Sequence, residues 1–375
     1  MKIKVLFIAL IILLSTCLVS CEEKINKNDY SIAKQSYYLY LDTISSITVE
    51  YKNSNKTEQE VNNELNYVHN ILLDIEKEFS VEQTLYMASH GILESTLMKL
   101  NSSSGKKEVV VSDEFLSVLE KAKDIYSLSN GGFDPSVGSL TRLWDISGKT
   151  ELPEENLFIP SDDEISDILK LIDFKLVEID KENKTVYLPK EGMMLDFGGI
   201  AKGFAADKVM EYLKTKGYTY ISVNLGGNLL LYGSSKIYEA DNKKVSSYIQ
   251  NPNDASTTII KTEVTDVSIV TSGIYERYIE IDGNKYHHIL NPKTGYPFDN
   301  ELIMVTIIGQ NSCMCDGLST GVFSLGLESG IELIKSLEGY SAFFVTKDNI
   351  IYSVGDIEFS LTQTGKDNFK LIKVE

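Results

Sequence analysis

One stretch, residues 192–207, constrains this 375-residue chain more than any other. An apolar run ends at Asp196, the pair Gly198-Gly199 follows, and Lys202 stands at the start of a helical pattern. Free backbone N–H groups at a helix start attract phosphate, and a bare carbonyl beside glycine can ligate a hard cation. The stretch is therefore either a ligand-binding turn or a plain left-handed turn between two elements.

The overall charge restricts the class of ligand. The formal net charge is −18 at pH 7, and the only arginines are Arg142 and Arg277. Nucleic-acid binding requires basic surface, so we exclude nucleic acid as a partner. An acidic protein that holds a polyphosphate usually needs a cation between the two, which indicates a metal.

The first twenty residues have the features of an export signal. The apolar run 5–14 is too short to span a bilayer, and Leu18-Val19-Ser20-Cys21 resembles the lipobox of bacterial lipoproteins. The alternatives are an uncleaved core helix and an ordinary secretory cut. We expect removal of residues 1–20, acyl chains such as palmitate on Cys21, and a flexible polar tether over 21–36. The protein would then be anchored in a membrane outside the cytoplasm.

The rest of the chain, residues 37–375, is predicted to form one domain. Hydrophobic periodicity and capping residues predict a strand over 37–51 and helices whose approximate bounds are 57–78, 112–129, 163–172, 200–216 and 316–337. Single helices alternate with pairs of strands, which is typical of an α+β fold with mostly antiparallel sheets and flanking helices. The sequence has no G-x-G-x-x-G motif after a strand and no Walker A lysine motif.

Two further segments are candidates for ligand binding. Gly131 to Trp144 begins with a glycine pair and Asp-Pro, which exclude a regular element at its start and suit a backbone that wraps a ligand. The alternative is a surface turn. His287 and His288 are adjacent on a predicted strand, so they point to opposite faces and only one can face a given site. The alternative for either histidine is a half-buried structural role.

A third segment suits a metal ion. Asp316 and Thr320 are four residues apart, and a helix that begins near Asp316 would place both oxygens on one face of its first turn. A carboxylate and a hydroxyl suit Mg²⁺. The alternative is an N-cap aspartate with a threonine inside the helix. Cys313 and Cys315, in an apparent strand or its exit, are spaced too closely for an unstrained disulfide, so we interpret them as small apolar residues.

Six motifs together resemble the ApbE family, the FAD:protein FMN transferases, over about residues 37–355. Each motif alone is modest, but all six occur in the family's order behind a lipobox. Two positions depart from the family pattern: Leu41-Asp42-Thr43 replaces Met-Gly-Thr, and Asn291 replaces Asp before Pro. The motifs are GGFDPSVG at 131–138, LDFGGIAKGFAAD at 195–207, NLGGN at 224–228, TSGIYER at 271–277, HHILNPKTGYP at 287–297 and DGLST at 316–320.

This resemblance implies a set of site residues. It implies a Mg²⁺ site at Asp316, Thr320 and the Gly199 carbonyl, and His288 as the base. It implies FAD contacts at Leu41, Gly132, Phe133, Asp134, Asp196, Lys202 and Ile289.

It also implies an activity. The family moves FMN from FAD to a threonine hydroxyl of an acceptor protein through a phosphoester bond and releases AMP. The expected acceptor is an extracytoplasmic flavoprotein, such as a subunit of an electron-transport complex. Two alternatives stay open: a Mg²⁺-dependent FAD pyrophosphatase that gives FMN and AMP, and a non-catalytic flavin-binding lipoprotein.

Overall fold

The computed structural model describes residues 26–40, 43–150, 152–237 and 244–375. Cys21, Leu41 and Asp42 lie outside these ranges, so the predictions made for them stay predictions. Within these ranges no helix combines the length and the apolar composition needed to cross a bilayer.

Helices of very different lengths alternate with strands along the chain. Short 3₁₀ turns occur at Lys27–Asp29, Glu154–Asn156 and Phe174–Leu176. The α-helices of the described residues are α1 (Glu58–Phe79), α2 (Leu85–Ser89), α3 (Thr96–Ser102), α4 (Asp113–Leu128), α5 (Gly138–Trp144), α6 (Ile146–Lys149), α7 (Asp162–Leu169), α8 (Ala201–Lys214), α9 (Ser312–Ser336) and α10 (Gln363–Asn368).

The strands form one large sheet and three small ones. The large sheet has nine strands in the order β1-β2-β6-β7-β10-β13-β14-β15-β17, and the small sheets are β16-β9-β8, β3-β5-β4 and β11-β12. All pairings are antiparallel except β15 with β17, which confirms the predicted α+β class. The strands are β1 (Tyr30–Tyr40), β2 (Thr43–Lys52), β3 (Val109–Val110), β4 (Glu178–Asp180), β5 (Thr185–Tyr187), β6 (Tyr220–Leu225), β7 (Asn228–Gly233), β8 (Val245–Asn251), β9 (Asp254–Val264), β10 (Ser268–Gly273), β11 (Tyr278–Ile281), β12 (Asn284–His287), β13 (Leu302–Gly309), β14 (Ser341–Thr346), β15 (Ile350–Val354), β16 (Phe359–Leu361) and β17 (Lys370–Val374).

Both faces of the large sheet are covered. On β13, Val305 and Ile307 belong to the main core, which includes buried residues of α1, α4, α8 and α9, whereas Met304 and Ile308 pack in a second core with residues of β8 and β9. A strand buried on both faces loses the alternation of apolar and polar residues. This is why β13 and β14 are nearly continuous runs of hydrophobic residues.

The predicted helix starts near 57, 112 and 163 are confirmed. Thr57 and Ser161 form the capping boxes that start α1 and α7, and Ser112 caps α4. In each case the side-chain hydroxyl accepts a backbone N–H that has no partner inside the helix.

Three expectations are wrong. The tether predicted for 21–36 includes Tyr30–Ser36, which belong to β1, because β2 supplies their hydrogen-bond partners at the sheet edge. The last predicted helix begins at Ser312 with Asn311 as its N-cap, so Asp316 lies beyond the first turn and is not the cap. Cys313 and Cys315 consequently lie in α9 rather than in a strand, where burial raises the pKa of both thiols.

Helices α8 and α9 touch through their backbones at Gly203. A Cβ at this position would lie 2.2 Å from the Ser312 carbonyl oxygen and 2.7 Å from Cβ of Asp316. Asp207, one turn further along α8, accepts the N–H groups of Ser312 at 3.0 Å and Cys313 at 2.9 Å. This carboxylate therefore caps α9 from a neighbouring helix, at the positive end of the α9 dipole.

We expect Gly203→Ala to lower the free energy of unfolding by about 1–3 kcal/mol, because the added methyl group has no space between the two helices. Urea denaturation followed by circular dichroism measures this change. Glu211→Ala, on the exposed face of the same helix, is the matched control and should change stability by less than about 0.5 kcal/mol. Equal unfolding midpoints for wild type and Gly203→Ala would contradict the contact.

Candidate functional site

A cavity of about 290 Å³ lies where the predicted segments meet. It receives residues from the Gly-Gly turn before α8, the loop before α5, the β10–β11 connection, the segment after β12 and one face of α9. Each predicted site residue within the described ranges contributes to its wall: Gly132, Phe133, Asp134, Asp196, Gly199, Lys202, His288, Ile289, Asp316 and Thr320.

The Gly-Gly turn presents a helix start to the cavity. Asp196 Oδ1 accepts the Gly198 N–H at 2.7 Å and closes the turn, and Lys202 Nζ donates to the Gly198 carbonyl at 3.2 Å. Ile200, the N-cap of α8, makes no side-chain capping bond. The positive end of the α8 dipole and the Lys202 ammonium thus lie together at the cavity, which is an arrangement that attracts anions.

The loop before α5 contributes Gly132, Phe133 and Asp134 to the cavity wall. A Cβ at Gly132 would lie 1.9 Å from the Ser324 hydroxyl oxygen, so only glycine fits against α9 here. Asp134 Oδ1 accepts the backbone N–H of Ser136 at 2.8 Å and its hydroxyl at 2.6 Å. The Asp134 carboxylate therefore holds the shape of the loop, and burial raises its pKa.

Oxygen donors suited to a hard cation meet at α9. Asp316 is 4% exposed, and its Oδ2 accepts the Gly203 N–H at 2.8 Å. Among the described residues no hydrogen bond occupies Oδ1. Thr320 lies one turn further along α9, and a Cβ at Gly199 would lie 3.5 Å from its hydroxyl oxygen.

This donor set fits Mg²⁺ better than a soft metal. The described residues contain no group of three or more His, Cys, Asp or Glu side chains that could hold a metal. A cation would instead have one carboxylate, one hydroxyl and a backbone carbonyl, with water or phosphate completing the octahedron.

The two histidines have different surroundings. His287 is 6% exposed; its Nε2 donates to the Phe298 carbonyl at 2.9 Å, and its Nδ1 accepts the Ile289 N–H at 3.3 Å. His288 lies in the cavity wall and His287 does not, as expected for adjacent residues that point to opposite faces. The structural alternative therefore fits His287, and the role of His288 as a base stays a prediction.

The hydrogen bond of His288 determines its tautomer. Its Nδ1 lies 3.1 Å from the Arg277 carbonyl, which can only accept, so Nδ1 carries the proton and Nε2 keeps a free lone pair. The ring is partly exposed, yet the surrounding protein desolvates it and lowers its pKa to about 4, and the charges of Arg277 and Lys202 act in the same direction. The imidazole is therefore uncharged at neutral pH.

Sequence reasoning assigned no role to several cavity residues. Glu276 and Arg277 lie in the 271–277 motif, and Asn228 lies in the 224–228 motif. Membership of these motifs is the sequence feature that could have identified them. Desolvation raises the pKa of Glu276 to about 6, against the opposing effect of Lys202 and Arg277. Ser147 of α6 also lines the cavity and lies in no motif.

Comparison with known proteins gives consistent matches. The sequence model of the ApbE family matches residues 41–344. A protein of Klebsiella pneumoniae (strain 342) named FAD:protein FMN transferase is 35% identical over 274 residues, which cover 72% of this chain and 82% of that protein. A protein of Treponema pallidum (strain Nichols) with the same name is 34% identical over 265 residues, covering 68% and 72%.

Solved structures share the fold. The flavin transferase ApbE from Vibrio cholerae superposes with a TM-score of 0.71 at 22% identity, covering 91% of this chain and 100% of that one. The ApbE protein from Thermotoga maritima has a TM-score of 0.71 at 26% identity, with the same coverage of both chains. Residues 41–344, which the family model matches, contain every segment that forms the cavity.

Burial of His287 makes the free energy of unfolding depend on pH. Its pKa is lowered to about 4, chiefly by desolvation, so the unfolded chain binds this proton more readily than the folded one. The contribution of His287 to the free energy of unfolding is therefore fully present above about pH 6.5 and is lost as the pH falls towards 4. We expect the free energy of unfolding to decrease over this range.

The variant His287→Gln isolates this contribution. Glutamine can also donate to the Phe298 carbonyl and accept from the Ile289 N–H, but it does not titrate. Urea denaturation at pH 7 and pH 5 should give a smaller decrease for the variant than for wild type. The same decrease in both proteins would show that His287 is not the titrating group.

Proposed function

Because the chain belongs to the ApbE family, we propose that it is a Mg²⁺-dependent FAD:protein FMN transferase. It moves FMN from FAD to a threonine hydroxyl of an acceptor protein, with release of AMP. The observation that carries this proposal is one cavity wall that combines a neutral, oriented imidazole with oxygen donors for a hard cation.

Two parts of the wall bind the substrate in this proposal. The start of α8 and Lys202 attract the pyrophosphate of FAD. Asp316 Oδ1, the Thr320 hydroxyl and the Gly199 carbonyl would hold Mg²⁺. When bound, this ion supplies positive charge against the pyrophosphate oxygens.

The base acts on the acceptor. Nε2 of His288 takes the proton of the threonine hydroxyl, and the oxygen attacks the FMN-side phosphorus. The bond from that phosphorus to the bridging oxygen breaks, and AMP leaves with that oxygen. The carbonyl of Arg277 holds the Nδ1 proton, so the imidazole stays in the tautomer that can accept at Nε2.

The proposed setting is the outer side of a membrane. Lipidation of Cys21 would place the cavity outside the cytoplasm, where the acceptor is an exported flavoprotein such as an electron-transport subunit. The acidic surface, with a net charge of −18, agrees with a protein partner rather than a nucleic acid.

The proposed activity is tested on residues 22–375 with FAD, Mg²⁺ and an acceptor domain that carries a threonine flavinylation site. Intact mass should show one FMN added to the acceptor, with AMP released in equal amount. His288→Ala should lower the rate by about 10²–10⁴-fold, since a positioned general base contributes that much. Asp316→Asn should abolish the response to added Mg²⁺.

His90→Ala is the matched control, because His90 is exposed and lies outside the cavity wall; it should react like wild type. AMP release without a mass change of the acceptor would favour the pyrophosphatase. FAD binding without any AMP would leave a flavin-binding lipoprotein.

Attachment to the membrane is tested separately on the full chain in a bacterial host. We expect wild type in the membrane fraction and Cys21→Ser in the soluble fraction or retained as the uncleaved precursor, because thioether lipidation requires this thiol. Cys17→Ser, inside the predicted signal, is the control and should fractionate like wild type. Metabolic labelling with a fatty acid that follows Cys17 rather than Cys21 would contradict the lipobox.

A further inference from the structure

Arg277 is a cavity cation to which the family resemblance gave no role. It ends the 271–277 motif and is one of the two arginines in the chain. Both arginines are exposed, but Arg277 contributes to the cavity wall, whereas Arg142 of α5 lies outside that wall. Within the described ranges no salt bridge includes Arg277, although Glu276, Asp196 and Asp316 line the same cavity.

The backbone fixes Arg277 beside the proposed base. Its carbonyl accepts both the backbone N–H of His288 and Nδ1–H of the same residue, each at 3.1 Å. Its guanidinium reaches the Ser147 hydroxyl of α6 at 3.4 Å, a long and therefore weak bond. A stronger acceptor at the cavity can replace such a bond at little cost.

The Arg277 guanidinium acts electrostatically on two other residues of the cavity wall. The charges of Arg277 and Lys202 both act on His288 and on Glu276. A guanidinium in a cavity wall that forms no salt bridge keeps N–H donors that can bind an anion.

We propose that the Arg277 guanidinium binds the non-bridging oxygens of the phosphoryl group that the acceptor attacks, on the His288 side of the cavity. This inference rests on the proposed transferase function. In the step, the acceptor O–P bond forms, its proton moves to Nε2 of His288, and the P–O bond to AMP breaks. Arg277 forms no covalent bond. Its guanidinium can donate two parallel hydrogen bonds to the phosphoryl oxygens, whose negative charge increases as AMP departs.

Binding of inorganic pyrophosphate tests the site independently of catalysis. Isothermal titration calorimetry on residues 22–375 should give an affinity about tenfold weaker for Arg277→Gln than for wild type, with Arg277→Lys between them. Arg142→Gln removes the same charge outside the cavity and should bind like wild type. Equal weakening by Arg142→Gln and Arg277→Gln would overturn the site, since it would reflect only the overall charge.

A spectroscopic readout separates positioning from general damage. Removal of a neighbouring cation raises the pKa of an imidazole, so NMR titration should give a higher pKa for His288 in Arg277→Gln than in wild type. Arg277→Lys should keep the low value. His288→Ala identifies the resonance among the four histidines. An unchanged His288 pKa in a folded Arg277→Gln variant would overturn the placement.

Kinetics with FAD, Mg²⁺ and the acceptor complete the test. Arg277→Gln should lower kcat/KM about 100-fold, mostly through kcat, since the charge that it binds develops in the transition state. A change within twofold would overturn the inference while leaving the transferase intact. If wild type itself releases no AMP, the proposed function fails, and the pyrophosphate and NMR results still decide whether Arg277 forms an anion site.

Discussion

The backbone contact between α8 and α9 at Gly203 determines the geometry of the whole site. It brings the Gly-Gly turn at the start of α8 against Asp316 and Thr320, which otherwise belong to a distant part of the chain. Asp207 adds a cap to α9 from the same helix. A side chain at position 203 would separate two halves of the proposed cation site, because close-packed interiors do not absorb an added methyl group freely.

The cavity wall combines two cations, Lys202 and Arg277, with the carboxylates of Glu82, Asp134, Asp196, Glu276 and Asp316. Lys202 and Arg277 line it without a carboxylate partner among the described residues, and the start of α8 points the same way. The pyrophosphate of FAD would supply an anionic partner for both cations. The same two cations, together with desolvation, keep His288 neutral. One electrostatic arrangement thus favours both the binding of an anionic substrate and the presence of an unprotonated base.

Much of the local structure was predictable because its causes are local. Thr57, Ser112 and Ser161 begin helices since each hydroxyl accepts an N–H from its own first turn. The start of α9 also has a local cause, because Asn311 accepts the Met314 N–H, and Asp207 of α8 stabilises the same turn. The polar start of β1 was also misjudged, because its order comes from pairing with β2.

The sequence by itself determined the fold class, the family and the segments that meet at the cavity. The features that identify them, which are the spacing of apolar residues, the helix caps and the motifs, are each properties of consecutive residues. The tertiary structure showed which neighbours each of these side chains contacts. His287 and His288 are chemically identical neighbours, and only packing against Phe298 or against Arg277 makes one structural and the other a candidate base. The unpaired state of Arg277 likewise depends on distances between segments far apart in the chain, which no local pattern encodes.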